Sequence, residues 1–459
     1  MNLYKKIIIM AICAGILVSS TMFNFSGLDQ PGMMMIAISL VAALLWGTEI
    51  IAIPITGLTI IFLQSTLGIL PLEEALSYIA SPVNSLILVG FVLASALKKY
   101  DLDRDLSIKM IKLAGTRTST LLFCMMVAVA VLSMWIANTS TTAIMIPIAV
   151  KMLQMIKGNA ENIGKAFIIG IAYAGSIGGI ATPIGTTPNP ITIGFLQDMA
   201  DIHLNFLDWI FIGLPFVILL IPGAWFILLK LFPPETEEVE VGFLEEEGDG
   251  KKPKGMYNFL AIFALIITLW LLDSIWTMPN NWIYIVSLLG VLLLHFPIVG
   301  VLNWKETTLD VDWGVIILIG GGLSLGNGLQ ATGVIDWFVE ILMGVIGDFS
   351  VYWIGVIIVI ITGLSLLVFC SITATSTAFV PIAISMAFQL GVNPVILAAA
   401  AGVASSFAFF LPANTPPNAI AYSSGYFETK DMMKAGAILL VLSILVFLFI
   451  SATLWNFIF

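Results

Sequence analysis

The chain has 459 residues, of which 59% are hydrophobic and 10% charged, and its formal net charge is −10. A soluble protein of this size could not solvate so apolar a surface, so the composition excludes the soluble class and predicts an all-α polytopic membrane protein. The three cysteines form no CxxC pair and the two histidines form no cluster, so neither a disulfide framework nor a metal–thiolate site is indicated.

The apolar runs predict about eleven transmembrane helices, since a crossing helix needs about 20 residues. They lie near 5–24, 32–47, 50–70, 83–100, 163–200 (interrupted), 207–231, 257–274, 281–299, 313–331, 393–425 (interrupted) and 435–457. Lys5 and Lys6 before the apolar residues Ile7 to Val18 could suggest a signal peptide. A convincing small-residue cleavage site is missing, so we interpret the segment as the first span.

Two further apolar stretches, 118–156 and 351–389, are interrupted by the polar sequences WIANTSTTAIMIP and FCSITATSTAFVP. We interpret each stretch as a re-entrant helical hairpin. With a cytoplasmic N-terminus this assignment puts all eighteen Lys and Arg on the cytoplasmic side, whereas making either hairpin a single crossing breaks the pattern. The sequence therefore predicts a multi-pass protein of the plasma (inner) membrane with its N-terminus in the cytoplasm.

The two halves of the chain repeat each other across an acidic linker, 233–255, which is predicted to be a solvated cytoplasmic loop. In the matches, Leu88-Val89-Gly90 corresponds to Leu318-Ile319-Gly320, Pro147 to Pro381, and GTTPNPI (Gly185 to Ile191) to NTPPNAI (Asn414 to Ile420). Counting crossings places the first hairpin at the cytoplasmic face and the second at the outer face. The halves are thus predicted to be inverted repeats, as in many secondary transporters.

Four matched helix breaks carry the chemistry: ANT at 137–139, GTTPN at 185–189, SIT at 371–373 and NTPPN at 414–418. Broken helices persist in hydrocarbon only where they are buried in protein or line a cavity. Each new helix N-terminus offers free N–H groups and a partial positive charge, which favour an anion. No Arg or Lys lies near these motifs, which favours a small exchangeable anion such as a carboxylate. The exposed carbonyls, together with Ser133, Asn138 and Gly185, would suit a hard cation such as Na⁺.

Three other interpretations compete with a transport site. Small and hydroxyl-bearing residues can merely pack helices closely, and we assign that role to the lone GGGL at 320–323. An intramembrane enzyme using Ser371 or Ser376 is disfavoured because no His, Lys or paired Asp lies near to act as a base. An ion channel could also use inverted hairpins, and saturable uptake with counterflow would exclude an open pore.

In these motifs the sequence resembles the divalent anion/sodium symporter family, whose members carry dicarboxylates, citrate or sulfate. The two Ser-Asn-Thr signatures of that family read ANT and SIT here. The resemblance implies that substrate is bound by Asn138, Thr139, Thr186, Ser371, Thr373, Thr415 and Pro416. It implies a first sodium site at Ser133, Ala137, Asn138 and Gly185. A second sodium site would fall on Leu367, Ile372 and Asn414, where the first two side chains cannot supply the oxygens that a hard cation needs.

The resemblance also implies an elevator-type transporter that dimerises through a scaffold, with small dicarboxylates and the lipid bilayer as its partners, no nucleic acid, and no cofactor beyond Na⁺ as coupling ion. The corresponding division of the chain is 1–100 and 206–331 for the scaffold, 101–205 and 332–432 for the transport region, and 433–459 for the last helix.

Our leading interpretation of the function is a secondary active transporter of di/tricarboxylates such as succinate, malate, fumarate or 2-oxoglutarate. It would work by anion exchange with weak or absent sodium coupling, because the family includes sodium-independent exchangers and the second sodium site lacks its ligands. The alternative is a sodium-coupled dicarboxylate symporter that keeps only the first site. The preferred anion, with citrate and sulfate included, is left open.

Overall fold

The structure is a computed structural model that describes residues 3–22, 25–156, 159–239, 253–346, 349–455 and 458. Extended backbone in this part of the chain pairs only at an isolated bridge between Arg117 and Glu238, and helices make up the rest of the regular structure. The predicted all-α class is therefore confirmed. Residues 240–252, the middle of the predicted acidic linker, lie outside the described residues.

The first half contributes α1 (Leu3–Ser19), α2 (Gln30–Thr48), α3 (Ile53–Thr66), α4 (Leu72–Ser77), α5 (Val83–Lys99), α6 (Leu102–Leu113), α7 (Thr118–Ser133), α8 (Asn138–Met155), α9 (Glu161–Gly178), α10 (Pro188–Ala200) and α11 (Phe206–Leu231). The helix α3 is shorter than the predicted run 50–70. Glu49 adopts a left-handed conformation that ends α2, and Pro54 occupies the first turn of α3, where a missing N–H costs nothing.

The second half contributes α12 (Lys254–Leu272), α13 (Trp282–His295), α14 (Trp304–Asp310), α15 (Trp313–Ala331), α16 (Val334–Ile346), α17 (Val351–Phe369), α18 (Ile372–Leu390), α19 (Pro394–Ala404), α20 (Pro416–Ser423) and α21 (Thr429–Ile450). Nine helical stretches among the described residues are long and apolar enough to cross a membrane, and α17 and α18 are two of them. Length and hydropathy therefore do not distinguish this hairpin from two crossings, and the count of eleven stays a prediction.

Both predicted hairpins are present as pairs of helices that contact each other, α7 with α8 and α17 with α18. In the second hairpin, Cys370 takes a left-handed conformation (φ 49°) and Ser371 begins α18 by accepting a hydrogen bond from the Ala374 N–H at 3.3 Å. At this tip a polar residue therefore partners a helix N–H group, whereas in the first hairpin Ala137 precedes α8 without a side-chain cap.

The two broken helices are α9–α10 and α19–α20, and equivalent hydrogen bonds hold their unwound segments. Asn189 Nδ2 donates to the Thr182 carbonyl at 2.6 Å, and Asn418 Nδ2 donates to the Leu411 carbonyl at 3.0 Å. Each amide also donates to the carbonyl ten residues upstream, at 2.8 and 2.7 Å. The matched asparagines of the sequence repeat thus satisfy backbone carbonyls that the proline-rich breaks leave without helical partners.

The halves interlock around these breaks. The helix α10 of the first half packs on α18 and α19 of the second, and α20 of the second half packs on α8 and α9 of the first. Outside this region α3 packs along α15, and an ideal Cβ at Gly321 would lie 2.4 Å from Gly57 Cα. The GGGL sequence therefore serves close helix packing, as predicted. The helix α11 contacts α7, α9 and α21.

Candidate functional site

A cavity of about 710 Å³ lies where the hairpin tips meet the unwound segments. Its wall includes all seven predicted substrate-binding residues, namely Asn138, Thr139, Thr186, Ser371, Thr373, Thr415 and Pro416. The ends of α2 and α15 complete the wall with Glu49 and Asp312, and α5 contributes Phe91. Residues distant in sequence therefore share one cavity, because the two halves interlock there.

Six helices begin at this cavity: α3, α8, α10, α15, α18 and α20. The residues that precede or open these helices, such as Ala137, Thr187, Ser371 and Thr415, form part of its wall. Helix N-termini carry partial positive charge and unpaired N–H groups. Among the described residues, the cavity wall contains no Lys or Arg, so dipoles and neutral donors are what it offers to an anion.

The hydroxyls at the site keep donor capacity. Ser371 Oγ accepts from the Ala374 N–H and Thr415 Oγ1 accepts from the Asn418 N–H at 3.4 Å, which leaves the hydroxyl proton of each available to a ligand. Thr187 lies 2.7 Å from Thr373, measured between their Oγ1 atoms, and links the first broken helix to the second hairpin.

Three residues of the cavity wall carry a hydroxyl or carboxyl group and were not among the predicted site residues: Thr187, Glu49 and Asp312. Thr187 belongs to the quoted GTTPN motif, so its position was available as a signal. Glu49 lies between the predicted spans 32–47 and 50–70, a position typical of an interfacial residue. Its presence at the cavity depends on how α2 packs against the hairpins, which no local pattern reveals.

The predicted first sodium site coincides with a cluster of buried oxygens that lack hydrogen-bond partners. Ser133 Oγ, Asn138 Oδ1 and Thr142 Oγ1 have no partner among the described residues, and each lies beside Gly175 or Gly179. Buried polar atoms without partners are rare in native proteins and indicate a place for a water molecule or an ion. Bare oxygens around a small space are what a hard cation requires.

Two glycines of α9 and the adjoining turn open the space between these oxygens. An ideal Cβ at Gly179 would lie 2.8 Å from Asn138 Oδ1 and 3.1 Å from the Gly185 carbonyl oxygen. An ideal Cβ at Gly175 would lie 3.4 Å from Thr142 Oγ1 and 3.7 Å from Ser133 Oγ. A larger residue at either glycine would occupy the space between the oxygens. Because both positions are glycine, the space is left open for an ion, and the residues present fit sodium. Ser133 lies behind the hairpin tip, while Ala137, Asn138 and Gly185 also line the cavity.

The predicted second sodium site differs. Leu367 and Ile372 offer hydrocarbon, as the sequence indicated. The buried side chain of Asn414 is already bonded, since its Nδ2 donates to the Leu366 carbonyl at 2.6 Å and its Oδ1 accepts from the Leu411 N–H at 2.8 Å. The residues present here do not fit a sodium ion.

Comparison with known proteins agrees with this geometry. The family model described as the sodium:sulfate symporter transmembrane region matches residues 1–459. The chain belongs to this family. The resemblance to divalent anion/sodium symporters seen in the sequence is thereby confirmed, and the chain is a membrane transporter rather than an enzyme.

Two named relatives and one solved structure are similar to this chain over nearly its whole length. The sodium-dependent dicarboxylate transporter of Staphylococcus saprophyticus is 31% identical, over 93% of this chain and 86% of its own. The Na⁺/citrate cotransporter of Rattus norvegicus is 28% identical, over 90% of this chain and 89% of its own. The YdaH transporter of Alcanivorax borkumensis shares the fold, with a TM-score of 0.62 at 14% identity over 93% of this chain and 99% of that one.

Proposed function

We propose that this symporter-family chain is a sodium-coupled carrier of small dicarboxylates across the plasma membrane. The supporting observation is that one residue, Asn138, belongs to two environments. It opens α8 at a cavity ringed by helix N-termini and hydroxyls, and its Oδ1 is part of the unpartnered oxygen cluster. The names of the two relatives, a sodium-dependent dicarboxylate transporter and a Na⁺/citrate cotransporter, point the same way.

In this proposal the anion binds in the cavity without a cationic side chain. The hydroxyls of Thr139 and Thr186 would donate to one carboxylate, and those of Ser371, Thr373 and Thr415 to the other, with Pro416 shaping the wall. Hydrogen bonds to charged groups are stronger than neutral ones, so neutral donors suffice for reversible binding. The sodium ion would be held by Ser133, Asn138 and the backbone at Ala137 and Gly185.

Transport requires that the cavity open to each side in turn. With the N-terminus in the cytoplasm, Glu49 ends α2 and Asp312 precedes α15 on the cytoplasmic side, so this conformation would be open inward. The transport region, 101–205 and 332–432, would move against the scaffold of a homodimer. The contacts of α11 with α7 and α9 suggest that this helix moves with the transport region, although the domain division predicted from the sequence put it in the scaffold.

Anion exchange, the leading interpretation from the sequence, is the second candidate. A specific observation favours it: the second hairpin has Leu367 and Ile372 where a cation site would need oxygens. The unpartnered oxygens at the first hairpin and the names of the relatives favour symport.

Reconstitution into proteoliposomes separates the two candidates. Symport predicts concentrative uptake of labelled succinate into substrate-free vesicles, driven by an inward sodium gradient and absent with choline. Exchange predicts that uptake requires internal dicarboxylate and ignores sodium, and that result would refute the proposal.

A matched pair of variants tests the anion site in the same vesicles. Thr139→Val removes a hydroxyl from the cavity wall and should raise the succinate KM by about tenfold or more, the cost of one hydrogen bond to a charged group. Thr268→Val removes an exposed hydroxyl of α12 that bonds only the Ala264 carbonyl in its own helix, and it should leave the KM unchanged. Equal effects of the two variants would contradict the assignment of Thr139.

A further inference from the structure

The two hairpins differ at the place where their backbones match most closely. Gly185 N donates to the Thr182 carbonyl at 3.2 Å, and Asn414 N donates to the Leu411 carbonyl at 3.1 Å. The unwound segments thus have the same local backbone bonding, and Asn414 occupies the position of Gly185 in the repeat. The difference between the halves lies in the side chains added to this common frame.

In the first half this frame surrounds oxygens without partners. Gly185 has no side chain, and an ideal Cβ there would lie 2.4 Å from the Gly179 carbonyl oxygen, so nothing larger fits. The neighbouring hairpin supplies Ser133 Oγ and Asn138 Oδ1, both buried and unpartnered. A bound cation would complete the polar groups of this half.

In the second half the corresponding polar groups are satisfied by the protein itself. Leu367 takes the place of Ser133 and Ile372 that of Asn138, so two side-chain oxygens are gone. The carboxamide of Asn414 is 2% exposed and bonds at both ends. Its Nδ2 donates to the Leu366 carbonyl at 2.6 Å, and its Oδ1 accepts from the Leu411 N–H at 2.8 Å.

Some unpartnered oxygens remain in the second half: Thr362 Oγ1, Thr375 Oγ1, Ser406 Oγ and Asn418 Oδ1. Thr375 and Asn418 match Thr141 and Asn189 of the first half, whose oxygens lack partners too, and Thr362 and Ser406 are not at the positions that match Ser133, Asn138 and Gly185. The two halves differ at three matched positions. Leu367 and Ile372 have hydrocarbon where Ser133 and Asn138 have oxygens, and Asn414 has an amide where Gly185 leaves empty space.

We propose that the Asn414 carboxamide is a built-in, neutral replacement for a second cation, so that the chain carries one sodium ion with each dicarboxylate. This proposal rests on the proposed symport. The amide N–H group donates to the Leu366 carbonyl in the last turn of α17, which also accepts from the Cys370 N–H at 3.3 Å, and so joins the first arm of the second hairpin to the segment before α20. Since the amide is always present, this junction forms without an ion, and only the first hairpin responds to sodium.

A one-to-one stoichiometry has an electrical consequence. A dicarboxylate dianion that moves with one sodium ion carries one net negative charge, whereas two sodium ions would make transport electroneutral. An inside-negative potential should therefore oppose uptake, and 100 mV should lower the steady-state accumulation ratio by about 50-fold. With two sodium ions the same potential would leave the ratio unchanged.

The test uses the purified full chain with fumarate at mildly alkaline pH, where fumarate is a dianion. Accumulation is measured in proteoliposomes at fixed sodium gradient and clamped potassium potentials, and sodium binding is followed separately by thermal unfolding in detergent without transport. We expect an opposing effect of inside-negative potential and a sodium titration with a Hill slope near one. Sodium-dependent uptake that is indifferent to potential overturns this inference alone. Sodium-independent uptake overturns the proposed symport and the stoichiometry with it.

A triple variant that copies the side chains of the first sodium site into the second half provides the matched comparison. Leu367→Ser, Ile372→Asn and Asn414→Gly together reproduce the residues of the first site on the second frame. The Hill slope of sodium-dependent stabilisation should rise towards two, and an unchanged slope in a folded protein counts against the role of Asn414. If the triple variant fails to fold, Asn414→Leu decides the matter: uptake should fall at least tenfold while the sodium titration keeps its affinity and slope. A changed slope would overturn the proposal.

Discussion

Replacing Ser133 by alanine separates the cost of an unpartnered hydroxyl from its value as an ion ligand. Ser133 is fully buried and its Oγ has no hydrogen-bond partner among the described residues. Without sodium, the hydroxyl has lost its hydration and gained nothing in exchange, so Ser133→Ala should leave the free energy of unfolding unchanged or raise it. With sodium, the variant lacks one oxygen of the coordination shell and should bind the ion more weakly.

The size of the sodium effect follows from the strength of a contact between a neutral oxygen and a charge. Hydrogen bonds to charged groups contribute about 1.5–3 kcal/mol, and we take the same range for the sodium–hydroxyl contact. Since each 1.4 kcal/mol is about tenfold in affinity, the sodium dissociation constant should rise about 10- to 100-fold. Thermal unfolding of the purified protein, titrated with sodium at constant ionic strength, measures both the unliganded stability and the affinity.

A buried serine with a satisfied hydroxyl is the control for this experiment. Ser443 on α21 donates to the Leu439 carbonyl at 2.8 Å and lies in a different helix from the oxygen cluster. Ser443→Ala should leave the sodium titration as in the parent protein. If Ser133→Ala shifts the sodium midpoint no more than Ser443→Ala does, the assignment of the cation to the first hairpin is wrong.

Three other changes probe different parts of the structure. Cys370 lines the cavity, so a charged thiol reagent applied from the cytoplasmic side should block uptake and succinate should protect; equal labelling with and without succinate would contradict the position of the cavity. Gly321→Val should lower the free energy of unfolding by about 1–3 kcal/mol, because its Cβ would lie 2.4 Å from Gly57 Cα; an unchanged denaturation midpoint would contradict the close packing of α3 and α15. Gln197→Leu removes the 2.9 Å hydrogen bond from Tyr284 Oη, which joins α10 to α13. This bond would stabilise the inward-open state if α10 moves against α13 during transport, so its loss should lower the population of that state. Labelling of Cys370 from the cytoplasm should then slow several-fold. An unchanged labelling rate would argue against that motion.

The sequence predicted the helix breaks because they depend on local chemistry. Prolines in the unwound segments, and asparagines that bond the freed carbonyls, are visible as matched motifs, and the structure shows the paired bonds of Asn189 and Asn418. The substrate-binding residues of the cavity wall could be predicted for the same reason. All the predicted substrate residues lie at hairpin tips or breaks, and the interlocked halves bring these together.

What the sequence could not provide depends on the orientation of side chains in three dimensions. The family resemblance placed Asn414 in a second sodium site, but its amide is directed to Leu366 and Leu411 instead. The cavity position of Glu49 depends on the packing of α2, and the helix α16 was not among the predicted elements. The hairpin arms α17 and α18 are apolar enough to cross, so only the charge pattern of the loops distinguished them from ordinary spans.

The electrostatics of the cavity give a physical reason to expect coupling. A dianion would enter a site with no cationic side chain on its described wall and with two carboxyl groups, Glu49 and Asp312, on that wall. Transfer of a charge from water to such a site is costly without a compensating charge. A sodium ion at the first hairpin would supply that charge beside Asn138 and Gly185, which line the cavity as well. Because linkage is reciprocal, the anion must then strengthen sodium binding by the same factor by which sodium strengthens anion binding. An exchanger would have to hold the dianion with helix dipoles and hydroxyls alone. The unpartnered oxygens of the first hairpin offer a place for a compensating sodium ion, so they are the strongest structural argument for symport.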